Sequence, residues 1–290
     1  MNVPDNFLGL EESFCDYKKS KVVVASAPYE STVTYGKGTK NGPRAIIEAS
    51  KNLELWDEEL KLNIVEKIGG VATIKPYKLP KKPEEMVSVL ERETKKLIRD
   101  EKFVLTLGGE HSIAVGPAKA YSDSFKNLSV LYFDAHGDLR EEYGNSKFSH
   151  ACALKRITDF NKSFVHVGCR SISDEEAELI EKENYKVAWA HEFKRGKVDY
   201  DFILNNLKEN VYISFDIDAF DQSIMPATGT PEPGGINWYD AITIIRKVSK
   251  EKNIVGADIN ELAPINGLHA ADFLAAKLAY KIIGYSQLKI

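Results

Sequence analysis

The chain has 290 residues, 43% of them apolar and 28% charged, which suits one large core and excludes a disordered, fibrous or collagenous chain. Its formal charge of -4, from 43 acidic and 39 basic residues, is too mild and too evenly spread to attract nucleic acid or an anionic membrane. Cys15, Cys152 and Cys169 match no zinc or redox spacing and are expected to be reduced thiols.

The first residues, MNVPDNFLGLEESFCDYKK, lack a cationic start leading into an apolar signal core, and no stretch approaches the ~18 to 20 apolar residues of a membrane span. A cytoplasmic protein is expected. The β-branched run KVVVAS at 21 is the first predicted strand, followed by a loop-rich stretch over 27–43 and a helical pattern in GPRAIIEASKNL from 42. In PEEMVSVLERETKKLIRD, Pro83 suits a first helical turn, and Met86, Val89, Leu90 and Leu97 are assigned to one buried stripe. Strands are then predicted at FVLTLG (103), SVLYFD (129), FVHVG (164), KVAWA (186), VYISFD (211) and IVGADI (254). Helices are predicted in DEEAELIEKEN, NWYDAITIIRKVSKE and AADFLAAKLAYKIIG, and further loops over 135–149 and 219–237.

Strands apolar on both faces and alternating with helices predict a mostly parallel sheet covered on both sides, an α/β fold. No repeat, low-complexity tract or linker interrupts the chain, so residues 1–290 are read as one domain.

In such sheets ligands bind beyond the carboxyl ends of the strands, so what each strand ends in matters. FVLTL is followed by GGEHS, which places His111 after two permissive glycines. SVLYF leads to Asp134, His136 and Asp138, VYISF to Asp216 and Asp218, and IVGAD to Asp258 and Glu261. Residues i, i+2 and i+4 of a strand share a face, which predicts that Asp134, His136 and Asp138 project together. Gathering four aspartates without a cation is unfavourable, since two like charges at 4 Å cost about 4 kcal/mol even at an effective dielectric of 20. Two divalent ions would balance them, with His111 and His136 as one neutral nitrogen each. Oxygen-rich ligation without thiolate favours two Mn(II) ions. Each motif alone has an ordinary reading as strand-end polarity; their agreement carries the metal reading.

GGEHS, FDAHGDLR and SFDIDAFDQSIMPATGTPEPGG together resemble the three signature blocks of the ureohydrolase family of arginases and agmatinases. PYESTVTYGKGTKNGPRAIIEAS resembles the N-terminal block of agmatinases, and the likeness runs from about residue 21 to residue 285. The resemblance implies a three-layer α/β/α fold around a parallel sheet. It implies that His111, Asp134, Asp138 and Asp216 bind one manganese, and that His136, Asp134, Asp216 and Asp218 bind the other. Glu261 then falls where the family has a carboxylate for the guanidinium, and His150, in KFSHA, where it has a histidine beside the substrate. Asp138 is expected to serve as general acid and base.

EEYGNSKFSHACALKRI looks more like an agmatinase than an arginase, so the expected reaction is hydrolysis of agmatine to putrescine and urea, serving polyamine synthesis. A shared water, its pKa lowered by the two ions, would supply hydroxide. The alternatives are another small guanidine substrate, such as aminopropylagmatine, guanidinobutyrate or arginine, or an inactive metal-binding relative. Gly137, Ala151 and Cys152 depart from common family choices and bear on the substrate. Glu141 and Glu142, in the 140–149 loop, read equally as acids that attract a distal ammonium or as a solvated acidic loop, and no role is given to His166, His191 or His269. Family members commonly form trimers or hexamers, so a homo-oligomer is expected.

Overall fold

The seven runs predicted as strands pair side by side in a computed structural model that describes residues 3–196 and 199–288. In chain order the strands are β1 (Val22–Ala27), β2 (Trp56–Asp57), β3 (Leu62–Asn63), β4 (Val71–Thr73), β5 (Phe103–Gly108), β6 (Leu128–Phe133), β7 (Phe164–Val167), β8 (Lys186–Ala188), β9 (Asn210–Asp216) and β10 (Asn253–Asn260). Eight of them form one sheet in the order β4-β1-β5-β10-β9-β6-β7-β8. Every pairing in that sheet is parallel. β2 and β3 form a separate antiparallel ladder.

Parallel strands need both faces covered, and the residues of the central strands alternate between two apolar layers. Leu105, Leu131, Phe133, Ile213, Phe215 and Ile259 face one layer, closed by helices Gly42–Ser50, Trp238–Glu251 and His269–Leu288. Val130, Tyr132 and Tyr212 face the other, where Val115–Ser124, Ala153–Thr158 and Asp174–Glu183 contribute Tyr121, Leu154, Ile157 and Ile180. The result is the expected three-layer α/β/α sandwich. Two of its helices begin with reciprocal capping boxes, Ser173 with Glu176 and Asn237 with Asp240, which satisfy otherwise orphaned N–H groups.

Some expectations need correction. In Pro83–Arg99 the buried stripe is Met86, Val87, Leu90, Thr94 and Leu97, while Val89 is only half-buried. At 3.6 residues per turn positions 86, 87, 90, 94 and 97 fall within an arc of about 100°, and 89, although i+3 from 86, lies about 60° beyond its edge. β4 and the helix Val115–Ser124 were not anticipated: a three-residue strand is too short for a periodic signal, and VGPAKAYSDS contains a glycine and a proline that read as a break. The three cysteines are free, as expected. Among the described residues, no helix is long and apolar enough to cross a membrane.

The strand order brings four chain segments together. β5, β10, β9 and β6 are neighbours at the centre of the sheet, so GGEHS, the end of IVGADINE, SFDID and FDAHGD all open at one edge. The close approach has a backbone requirement at Gly109, where an added Cβ would overlap the Tyr29 carbonyl.

Candidate active site

His111 opens a short 3-10 turn after β5, Asp134 follows β6, Asp216 ends β9 and Glu261 follows β10. Strand alternation does not place the remaining groups. β6 stops at Phe133, and His136 makes only an isolated bridge with Ser171. Asp138 has φ 51°, so the chain turns back there and brings its carboxylate to 3.4 Å from His111 Nδ1. Asp216 likewise caps the 3-10 turn Ile217–Ala219, accepting the Asp218 N–H at 2.8 Å, and this turn rather than a pleat sets Asp218. The period-two expectation is therefore corrected: loop and cap geometry gather these side chains.

They gather closely. His111, Asp134 and Asp216 offer ligand atoms within 4.8 Å of one another, and so do Asp134, His136 and Asp218. Asp134 belongs to both groups. Its Oδ2 lies 2.9 Å from His111 Nδ1, and its Oδ1 accepts the His136 N–H at 2.6 Å. His136 Nδ1 is 2.9 Å from Asp218 Oδ2, and His111 Nδ1 is 3.3 Å from Asp216 Oδ2. Asp138 stands outside both groups but is held against the first by the Tyr132 hydroxyl, which donates to its Oδ2 at 2.8 Å.

The electrostatics are those of a site short of positive charge. Burial would push His111 down, but hydrogen bonds to Asp134, Asp138 and Asp216 hold it well above the usual imidazole range. His136, also opposed by burial, is pushed up to about 12 by Asp218 and Asp134. Burial and then the charges of Asp218 and Asp134 push Asp216 well above the usual carboxylate range. The protein alone meets the clustered aspartates with protons, where divalent cations would serve as well. Four carboxylates and two imidazoles without a thiolate form a donor set that fits a pair of hard divalent ions.

A cavity of about 220 Å³ lies over this cluster, lined by Val33, Thr34, Arg140, Tyr143, His150, Ser171, Glu176, Thr230 and Glu261 among others. Glu261 is held in the left-handed region, φ 68°, and its Oε1 accepts the His111 N–H at 2.6 Å. Burial and the neighbouring charge of Glu110 push its carboxyl well above the usual range. His150 sits at the start of a short turn after the 140–149 loop. Gly229 and Thr230 bring the TGTPEPGG loop to the wall, which Arg170 fastens from behind. Its guanidinium donates to the carbonyls of Asp218 at 2.7 Å, Glu232 at 2.8 Å and Gly168 at 3.0 Å. Nothing in GCRS marked Arg170 in the sequence.

Asp258 did not join the site edge. It is fully buried within β10, accepting from Tyr212, Ser214 and Asn260, and Ser214 Oγ lies 3.0 Å from His111 Nε2. It braces His111 from below. Of the two readings of the loop acids, the solvated loop fits better: neither Glu141 nor Glu142 lines the cavity. Hydrogen bonds to Lys155 and Arg156 pull Glu141 down to about 2. His166 is buried in β7, and His191 and His269 are exposed elsewhere.

Glu176 does line the cavity, and its carboxylate is already engaged. It accepts from Leu139 N–H at 2.9 Å and Ser173 N–H at 2.8 Å, tying the FDAHGD loop to a helix start. An added Cβ at Gly137 would sit 2.7 Å from Glu176 Oε1 and 3.0 Å from Ile172 Cγ2. Gly137→Ala is therefore expected to destabilise by about 1 to 3 kcal/mol and to weaken metal retention, measured by thermal melting and by metal content after dialysis.

Residues 20–284 match the profile of the arginase family. An N(1)-aminopropylagmatine ureohydrolase from Synechocystis is 36% identical over 289 residues, covering 97% of this chain and 94% of that protein. An agmatinase from Pyrococcus horikoshii is 32% identical, covering 93% and 94%. The crystal structure of the agmatine ureohydrolase of Thermoplasma volcanium superposes with a TM-score of 0.87 at 29% identity, covering 98% of this chain and 94% of that one. With its sheet order, its layers and this span of likeness, the chain belongs to the arginase family.

Proposed function

We propose that the protein is a metal-dependent ureohydrolase that releases urea from a guanidine carried on an aminoalkyl chain, with N(1)-aminopropylagmatine the leading substrate and agmatine the next. The observation that carries this reading is the pair of His/Asp groups sharing Asp134 beneath a cavity whose walls include Glu261 and His150. The choice between the two substrates follows the relatives, 36% identical for the first name and 32% for the second.

His111, Asp134, Asp138 and Asp216 would hold one ion and His136, Asp134, Asp216 and Asp218 the other; the oxygen-rich set favours Mn(II). When bound there, such ions would supply a water of lowered pKa, from ~15.7 towards neutrality, the chemistry a resonance-stabilised guanidinium requires. Glu261, with Oε1 already engaged by the His111 N–H, has Oε2 left to accept from a guanidinium and so orient it. Asp138, whose Oδ2 accepts from the Tyr132 hydroxyl, would receive a proton and pass it to the departing amine. His150 borders the same space as a second polar group for the substrate.

A second reading has its own observation. Arg140 lines the cavity, with its guanidinium 5.2 Å over the Tyr143 ring and its Nε 3.9 Å from Glu176. A cation there favours a guanidine ending in a carboxylate, such as guanidinobutyrate, over one ending in an ammonium. Urea release from aminopropylagmatine, agmatine, guanidinobutyrate and arginine, with protein stripped and reloaded with Mn(II), separates them. The expected order is aminopropylagmatine, then agmatine, and no urea without metal. A preference for guanidinobutyrate would assign Arg140 to the substrate, and no urea from any of the four would remove the ureohydrolase reading.

A further inference from the structure

Glu110, the acid of GGEHS, belongs to neither His/Asp group and is completely buried. All its partners are donors: Oε2 accepts the N–H groups of Ser31 at 2.5 Å and Thr32 at 2.7 Å. Its Oε1 accepts the hydroxyls of Thr32 and Ser112, each at 2.7 Å. A carboxylate with two N–H groups and two hydroxyls around it fixes the position of the loop that carries Thr32.

The Thr32 hydroxyl then has a determined polarity. A hydroxyl has one proton, and here that proton is given to Glu110, so the oxygen can only accept. It accepts the backbone N–H of His150 at 3.0 Å, and His150 Nδ1 lies 3.2 Å away. A ring nitrogen facing an oxygen that can only accept forms a hydrogen bond only if the nitrogen carries a proton.

We infer that the Thr32–Glu110 pair is a positioning device that fixes the neutral His150 ring as its Nδ1–H tautomer, leaving Nε2 as the accepting nitrogen of a ring that lines the cavity. Nε2 has no protein partner among the described residues. An accepting nitrogen suits the N–H groups of a guanidine, a consequence that rests on the function proposed above; the tautomer itself does not rest on it. The one competitor is Ser149, whose Oγ is 3.4 Å from Nδ1. If Ser149 donated to a bare Nδ1, the ring would have the opposite tautomer, so the two arrangements are distinguishable.

Long-range 1H–15N correlation spectra of the metal-free, histidine-labelled protein at a pH where the ring is neutral read the tautomer directly, with His150 assigned by its loss in His150→Asn. The expected result is Nδ1–H in the native protein and in Thr32→Ser, and conversion towards Nε2–H in Thr32→Val, which keeps the backbone donors. In the Mn(II)-loaded enzyme, Thr32→Val is expected to raise KM about tenfold with a smaller change in kcat, the scale of one hydrogen bond, and Thr32→Ser to restore it. An Nε2–H ring in the native protein overturns the inference, as does a ring unchanged by Thr32→Val. An Nδ1–H ring that Thr32→Val converts, in a protein that hydrolyses no guanidine, supports the positioning device and removes only the proposed function.

Discussion

Asp134→Asn is expected to abolish metal-dependent urea release, with a loss beyond the roughly 10- to 100-fold typical of groups that only brace a metal ligand. Asp134 is the one residue common to both His/Asp groups, and its two oxygens face His111 and His136 separately. Asparagine keeps the shape and one oxygen to accept the His136 N–H, so the fold is expected to survive. What it removes is a negative charge and one acceptor from both groups at once. The checks are metal content per chain after dialysis and the melting temperature with added Mn(II). The native protein is expected to gain about 2.7 kcal/mol at 100 times the dissociation constant, and the variant to gain far less. Asp258→Asn is the contrast, because Asp258 is equally buried but reaches His111 only through Ser214. Two ions retained by Asp134→Asn with native turnover would refute the shared centre.

Much of this arrangement was legible in the sequence, for a physical reason. Parallel strands buried on both faces are written as unbroken apolar runs, so an acid or imidazole directly after such a run marks the strand's carboxyl end. That signal found His111, Asp134, Asp216 and Glu261 on four strands. Their adjacency could not be read from periodicity, because it depends on β10 and β9 inserting between β5 and β6. It was inferred instead from the agreement of the motifs, since ligands bind beyond the carboxyl ends of such strands and the ligand types complete one another.

The misreadings share a cause as well. Asp138 and Asp218 are set by a left-handed residue and a 3-10 turn, local conformations that alternation does not anticipate. Glu141 looked free in a polar loop, but Lys155 and Arg156, on the following helix, reach back to it. Glu110 and Glu176 also reach partners 79 and 37 residues away, Ser31 and Leu139, and Arg170 reaches Asp218 and Glu232; no local pattern, the Ser173–Glu176 cap included, shows those contacts.

Lys281→Met is expected to lower stability by about 3 to 5 kcal/mol while leaving kcat and KM near native values. Lys281 lies on the helix His269–Leu288 with only 1% of its side chain exposed, and its Nζ is 2.9 Å from Asp57 Oδ2, itself 0% exposed. Glu58, at 3.0 Å, is 66% exposed and contributes little after screening by water. The pair joins the β2–β3 ladder to the C-terminal helix, and neither residue lines the cavity. Methionine fills a similar volume, so packing changes little; the cost is the Asp57 charge left buried without a counterion. Asp57 Oδ1 also accepts the N–H groups of Glu59 at 3.0 Å and Leu60 at 2.9 Å, which fixes the turn. Asp57→Asn preserves that acceptor and removes the charge, so Lys281→Met combined with Asp57→Asn is expected to recover most of the loss. Denaturant midpoints for the single and double variants measure this. Equal losses in Lys281→Met and in the double variant would mean that packing of the lysine stem, and not charge pairing, holds the ladder to the helix.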